Sequence, residues 1–196
     1  MSKSKIECFF LSPTEFKQIS LRRYQGVPQG TPLCEKSGMG YHNAQTIVLP
    51  MFKSETNEVD VGLLEHKDYP HDDPRWPKAC PCGYEFPESA PWQVNIRTLY
   101  GSPEMNGIIT IDDALVGAMW YADWYDHKGP DGHCLVVRTP GGDWIVDYPC
   151  EGGRGWTRTG EPPKITARPS IAIGTGELSK GWKYHGFLTN GVLEEC

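Results

Sequence analysis

Apolar and polar positions alternate over short stretches, and the segments between them are dense in Gly and Pro. Residues 6–11 (Ile6-Glu7-Cys8-Phe9-Phe10-Leu11) read as a strand with one apolar face. Leu135-Val136-Val137-Arg138 and Trp144-Ile145-Val146-Asp147 flank the loop Thr139-Pro140-Gly141-Gly142-Asp143, which predicts a hairpin over about 133–149. Phe187-Leu188-Thr189 and Val192-Leu193 flank Asn190-Gly191, the strongest short hairpin signal, within 184–195. Ala44 to Leu49 reads as a short buried strand closed by Pro50, and Trp92 to Tyr100 as a strand or short helix. Two stretches carry helix signals. Residues 12–24 can start at Ser12, with Pro13 at the first helical position and Glu15 as capping partner. In 110–125, Thr110 caps, Asp112 and Asp113 suit the first turn, and Ile111, Ala114, Leu115, Ala118, Met119 and Ala122 share a face. Gly117 is where this helix would break, and Trp120, Tyr121, Trp124 and Tyr125 are expected in the core. The expectation is an α+β fold, mostly β: one domain over 1–196 with antiparallel hairpins, one or two helices and a long loop.

That loop, residues 66–92, breaks the pattern. It holds six prolines, two histidines, three aspartates and two tryptophans, a density that no helix or central strand tolerates. An ordered loop of this length needs another source of rigidity, and a bound metal is a natural one. Cys80-Pro81-Cys82-Gly83 lies within it. Two cysteines one residue apart can aim both sulfurs at one point but strain a disulfide with each other. Gly83 permits a sharp turn whose amides can donate to the thiolates. The segment is half a zinc knuckle, and no second Cys-X₂-Cys or His-X₃-His pair completes it.

Composition narrows the classes. Seven Trp, nine Tyr and six Phe supply core area in a 196-residue chain that is only 38% hydrophobic. A net charge of −6 with scattered basic residues argues against nucleic acid or anionic lipid as partner. No run of about twenty apolar residues offers a membrane span. The basic start is followed only by Phe9, Phe10 and Leu11, too short for a signal peptide, so a cytosolic location is expected. Seven cysteines in such a chain point to metal or free thiols rather than a disulfide framework. Cys8, Cys34, Cys134, Cys150 and Cys196 stand alone. Cys8 and Cys196, near the two ends, suit intermolecular disulfides.

Arg75-Trp76-Pro77, Cys80-Pro81-Cys82-Gly83-Tyr84, Gly117-Ala118-Met119-Trp120 and Gly129-Pro130-Asp131-Gly132 are followed by Thr139-Pro140-Gly141-Gly142-Asp143-Trp144. Gly160-Glu161-Pro162-Pro163, Pro169-Ser170-Ile171 and Tyr184-His185-Gly186-Phe187-Leu188 complete the series. Through it, about residues 65–193, the chain resembles the long version of a family of uncharacterised phage and bacterial proteins, a domain of unknown function. The short version resembles compact zinc ribbons, in which a Cys-X-Cys-Gly segment is joined by a late Cys and a late His. That resemblance matches Cys80 and Cys82 to the first pair and His185 to the late histidine. The late cysteine has no counterpart among Gly181-Trp182-Lys183-Tyr184. His71 is favoured as the fourth ligand, with Cys150 or Cys134 as substitutes, and the 66–92 loop is then packed against the C-terminal hairpin. Two sulfurs and two imidazoles would make a closed, structural zinc site.

The function expected is therefore a non-enzymatic phage-type structural or accessory protein with structural zinc. It would join other protein chains in a virion or another multi-chain assembly, made in the host cytoplasm. The alternative is a zinc-dependent hydrolase or an accessory factor of a bacterial ubiquitin-like or defence pathway. A hydrolytic zinc needs an open position and a carboxylate base, for which Asp72, Asp73 and Glu85 are available. A cysteine hydrolase built on His133-Cys134 with Asp147 is disfavoured, because neighbouring residues of a strand point to opposite faces.

Overall fold

The computed structural model describes residues 5–27, 34, 36, 40–48, 70–149, 155–173 and 184–196. The chain is mostly β, and its sheets are largely antiparallel. It divides into two compact units, Met1–Pro13 with Tyr100–Cys196 and Thr14–Leu99.

Among its described residues the first unit holds two sheets. Strands β1 (Lys5–Glu7), β10 (Thr157–Thr159), β11 (Thr166–Ile173), β12 (Tyr184–Thr189) and β13 (Val192–Glu195) form one, in the order β1-β13-β12-β11-β10. Strands β2 (Phe9–Phe10), β7 (Ala118–Tyr121), β8 (Leu135–Thr139) and β9 (Gly142–Ile145) form the other, in the order β2-β7-β8-β9. Both expected hairpins are present. Asn190 and Gly191 turn the second with φ of 48° and 77°, the left-handed pair of a type I′ turn. The first is tighter than its sequence suggests. Arg138 pairs with Asp143 and Thr139 with Gly142, so Pro140-Gly141 alone makes the turn. Met119, Leu135, Val137, Trp144 and Val146 pack with Ile165, Ala167, Ile171, Leu188 and Leu193 into one core.

The second unit is built on β3 (Ser12–Gly26), β4 (Tyr41–Val48) and β5 (Trp92–Gly101), with β3 central. The last residues of β5, Tyr100 and Gly101, belong to the first unit and pair there with β6 (Ile108–Ile109). Ile19, Leu21, Val48 and Val94 lie on one sheet face with Trp76. Trp92–Tyr100 is thus strand, not helix. The 44–49 strand starts earlier, at Tyr41, and is mostly half-exposed, with Ile47 open to solvent and Val48 buried. Leu49 and Pro50 lie outside the described residues.

Both expected helices give way to extended chain. The Ser12-Pro13 start signal is local, whereas Ile19, Leu21 and Arg23 share one buried face, with Ser20 buried on the other, and pair with Val48, Thr46 and Ala44. Burial on that alternating face outweighs the cap. In 110–125 only Ile111–Asp113 forms a single 3₁₀ turn. Thr110 spends its hydroxyl on the Asp113 carboxylate, at 2.8 Å. Gly117 then takes φ +97°, and a Cβ at this position would lie 2.8 Å from the Glu7 carbonyl oxygen. Beyond it Ala118, Met119 and Trp120 are buried in succession, between parallel β2 and antiparallel β8. A central strand buried on both faces reads as a continuous apolar run. Trp120 is in the core as expected, Tyr121 and Tyr125 are half-buried against core clusters, and Trp124 is 58% exposed.

Candidate metal centre

The proline-rich segment is ordered in two ways. In its first half the Trp76 indole N–H donates to the Pro70 carbonyl at 2.8 Å, and the Trp76 ring meets Trp92 edge to face at 5.0 Å. His71 stacks on Trp92, ring centroids 4.7 Å apart. In its second half a miniature hairpin brings Ala79 opposite Glu85, with the Phe86 N–H donating to Lys78 and the Cys80 N–H to Tyr84. At its tip the Gly83 N–H donates to the Cys80 carbonyl at 2.8 Å. Pro81, with fixed φ, sits second in this turn and Gly83 closes it at φ +94°. The sequence Cys-Pro-Cys-Gly thus supplies the turn chemistry that holds the two thiols.

Two further residues complete the cluster. Cys34, Cys80, Cys82 and His42 each offer one atom, and all these atoms lie within 4.8 Å of one another. Cys34 Sγ is 3.6 Å from Cys80 Sγ, and Cys82 Sγ is 3.3 Å from His42 Nδ1. With metal–sulfur bonds of about 2.3 Å and metal–nitrogen bonds of about 2.0 Å, tetrahedral angles give sulfur–sulfur edges of about 3.8 Å and sulfur–nitrogen edges of about 3.5 Å. The Cys34–Cys80 and Cys82–His42 distances fall within a few tenths of these. Four such residues can hold a metal ion.

The surroundings fix the ligands. His42 stands on β4, where Gln25 of β3 faces it, and its ring stacks flat on Tyr84 at 3.9 Å and 2°. Tyr84 meets Phe86 edge to face. Cys34, Cys80, Phe86 and Ala90 form a small buried cluster, with Val27, Ala44 and Tyr84 packed against it. Arg23 lies over the Trp92 ring at 3.8 Å and donates to the Pro87 and Ala90 carbonyls. It clamps the chain just after the knuckle. The Tyr84 backbone N–H donates to Cys82 sulfur and lowers its pKa. Desolvation and the neighbouring Cys80 and Cys34 thiols outweigh that bond, so the Cys82 thiol sits above its ordinary value. A bound cation inverts this balance, because its charge favours the thiolates.

The structure brings Cys80 and Cys82 together, as the sequence anticipates, but pairs them with Cys34 and His42. His71 instead spends its ring on Trp92. His185 lies on β12 in the other unit, with Nε2 3.2 Å from Ser170 Oγ. The 66–92 loop falls in Thr14–Leu99 and the C-terminal hairpin in the first unit. Cys134 is fully buried, its thiol raised first by desolvation and next by the Asp147 charge. Cys150 lies outside the described residues. The missed pair, Cys34-X₇-His42, stands 38 residues before Cys80 and has no motif spacing of its own.

A second polar assembly lies in the first unit. The Arg158 side chain, 2% exposed, donates through Nε to Asp147 and through its terminal nitrogens to Asp131 and the His133 carbonyl. Asp147 also accepts from the Leu135 N–H, and Asp131 from the Tyr121 hydroxyl. Burial works to raise the Asp131 pKa, but the Arg158 bonds prevail and hold it well below the usual carboxylate range. His133 stacks on Tyr121 and shares Nδ1 with Asp123 at 2.8 Å. With Asp147 committed to Arg158 and His133 to Asp123, these residues do not form a thiol–imidazole–carboxylate relay with Cys134.

Among the described residues no helix is long and apolar enough to cross a membrane. Comparison with known protein families, curated proteins and solved structures finds no match.

Proposed function

We propose that this chain is a zinc-binding β protein whose metal has a structural, non-enzymatic role. The observation that carries the reading is the convergence of three sulfurs and one imidazole nitrogen within 4.8 Å of one another, with Cys34–Cys80 and Cys82–His42 near tetrahedral spacing. Thiolate-rich tetrahedral sets suit zinc, and four protein ligands leave no position for a reacting water. A hydrolytic zinc needs that position. Zinc with three thiolates and a neutral imidazole carries one net negative charge. The Tyr84 amide and the flat stack of Tyr84 on His42 support this shell. The metal ties residue 34 and β4 to the proline-rich segment, supplying the order that its sequence lacks.

As an accessory or structural component of a multi-chain assembly, the role implied by the phage-family resemblance, the chain would need this staple for shape rather than turnover. Elemental analysis of purified full-length protein tests the site: one zinc per chain, retained through gel filtration, is expected. Metal far below stoichiometric, with all four thiol and imidazole groups freely reactive, contradicts it.

A further inference from the structure

The three cysteines of the centre differ in their access to solvent. Cys82 is exposed, whereas Cys34 and Cys80 are 5% and 3% exposed. They also differ in which partner each can bond. Cys80 and Cys82 are separated by Pro81 alone, and a disulfide between them would close a ring too small for the preferred dihedral near 90°. Cys34 comes from 46 residues away and carries no such constraint. Its sulfur needs to move only about 1.5 Å toward Cys80 to reach bonding distance.

We propose that the centre is a peroxide-sensitive switch with Cys34 as the resolving cysteine, so that oxidation bonds Cys34 to the Cys80–Cys82 turn and releases the metal. This rests on the metal reading above. The exposed Cys82 thiolate attacks one oxygen of hydrogen peroxide, the O–O bond breaks, and the departing hydroxide takes a proton to become water. Cys82 is now a sulfenic acid and a poor ligand. The Cys34 thiolate attacks the Cys82 sulfur, the S–O bond breaks, and a second hydroxide leaves as water. The Cys80 thiolate can then attack Cys34 and expel Cys82, moving the bond to the buried Cys34–Cys80 pair. Two thiolates have lost two electrons to one peroxide. One thiol and His42 remain, too few to hold the ion.

The test uses full-length zinc protein carrying Cys196→Ser, which removes the other exposed cysteine among the described residues. Hydrogen peroxide is titrated in, zinc release is followed with a chromogenic chelator, and disulfides are mapped by mass spectrometry of unreduced peptides. The expected result is loss of the bound zinc together with a cross-link from the Cys34 peptide to the Cys80–Cys82 peptide, both reversed by reductant and added zinc. Cys34→Ser, read by peptide mapping alone because it lacks one of the four ligand residues, should form no such cross-link and accumulate sulfinic acid at Cys82. If this variant does not fold, the mapping of the parent protein decides alone. Zinc retained under peroxide, or released without a Cys34 cross-link, overturns the switch while leaving the metal site intact. Protein without zinc before oxidant is added overturns the site itself, so the two failures are distinguishable.

Discussion

In the proposed centre Cys34 and His42 are as necessary as the two cysteines of the turn, because each would supply one of the four ligand atoms. Removing any one ligand opens the shell, and such losses in zinc sites reduce affinity steeply. Cys34→Ser and His42→Ala should therefore lower zinc content at least tenfold in protein purified from chelator-washed columns. His71→Ala and His185→Ala should leave it unchanged, since those rings bond Trp92 and Ser170. Metal analysis of the four variants separates the two ligand sets. Gly117 makes a different single-residue demand. Its φ of +97° and the Glu7 oxygen 2.8 Å from a Cβ leave no room for a side chain. Gly117→Ala should cost about 1–3 kcal/mol in urea unfolding. An unchanged midpoint would show that the Glu7 backbone can move away from Gly117 at little cost. Burial pushes the Cys8 thiol up to about 12, against the opposing backbone hydrogen bond at Leu193.

Among the elements, the Arg158 network ties β10, through Asp147 just after β9, to the start of β8 and to the 123–133 loop. Arg158→Met strands the 4%-exposed Asp147 carboxylate without its cation, for which a loss of about 3–5 kcal/mol is expected. The same bonds set an acid response. Asp131 has its folded pKa depressed below the unfolded value of about 3.9, so its contribution is full above that pH. It is lost as pH falls from about 4 through the folded pKa. Asp131→Asn should flatten the fall in unfolding free energy below about pH 4, measured by urea titration at successive pH values. An unaltered slope would remove Asp131 from the acid response. These elements also show what a sequence can express. Asn190-Gly191 and the paired apolar runs specify their hairpins because turn and strands are contiguous. The 12–24 and 110–125 segments mislead because their caps are local while their burial comes from β4, β2 and β8. Cys80-Pro81-Cys82-Gly83 is legible for the same reason as the hairpins, being a complete turn. Cys34 and His42 are not, since only the pairing of β3 with β4 and the folding of the knuckle bring them to it.

At the scale of the molecule, the candidate metal centre belongs to Thr14–Leu99, while the core around Met119, Leu135 and Leu188 and the Arg158 network belong to the other unit. Anything bound only by the folded state adds to the stability of the part that binds it. Calorimetry should therefore show that chelation lowers the transition of the Thr14–Leu99 unit and leaves the other within about 2 °C. Equal shifts in both would mean that the units unfold together. The claim beneath all of this is a closed shell of three sulfurs and one nitrogen, and X-ray absorption at the zinc edge counts those ligands directly. The account predicts three sulfur scatterers near 2.3 Å with one imidazole nitrogen near 2.0 Å. Two or fewer sulfurs, or a shell containing water oxygen, would contradict it.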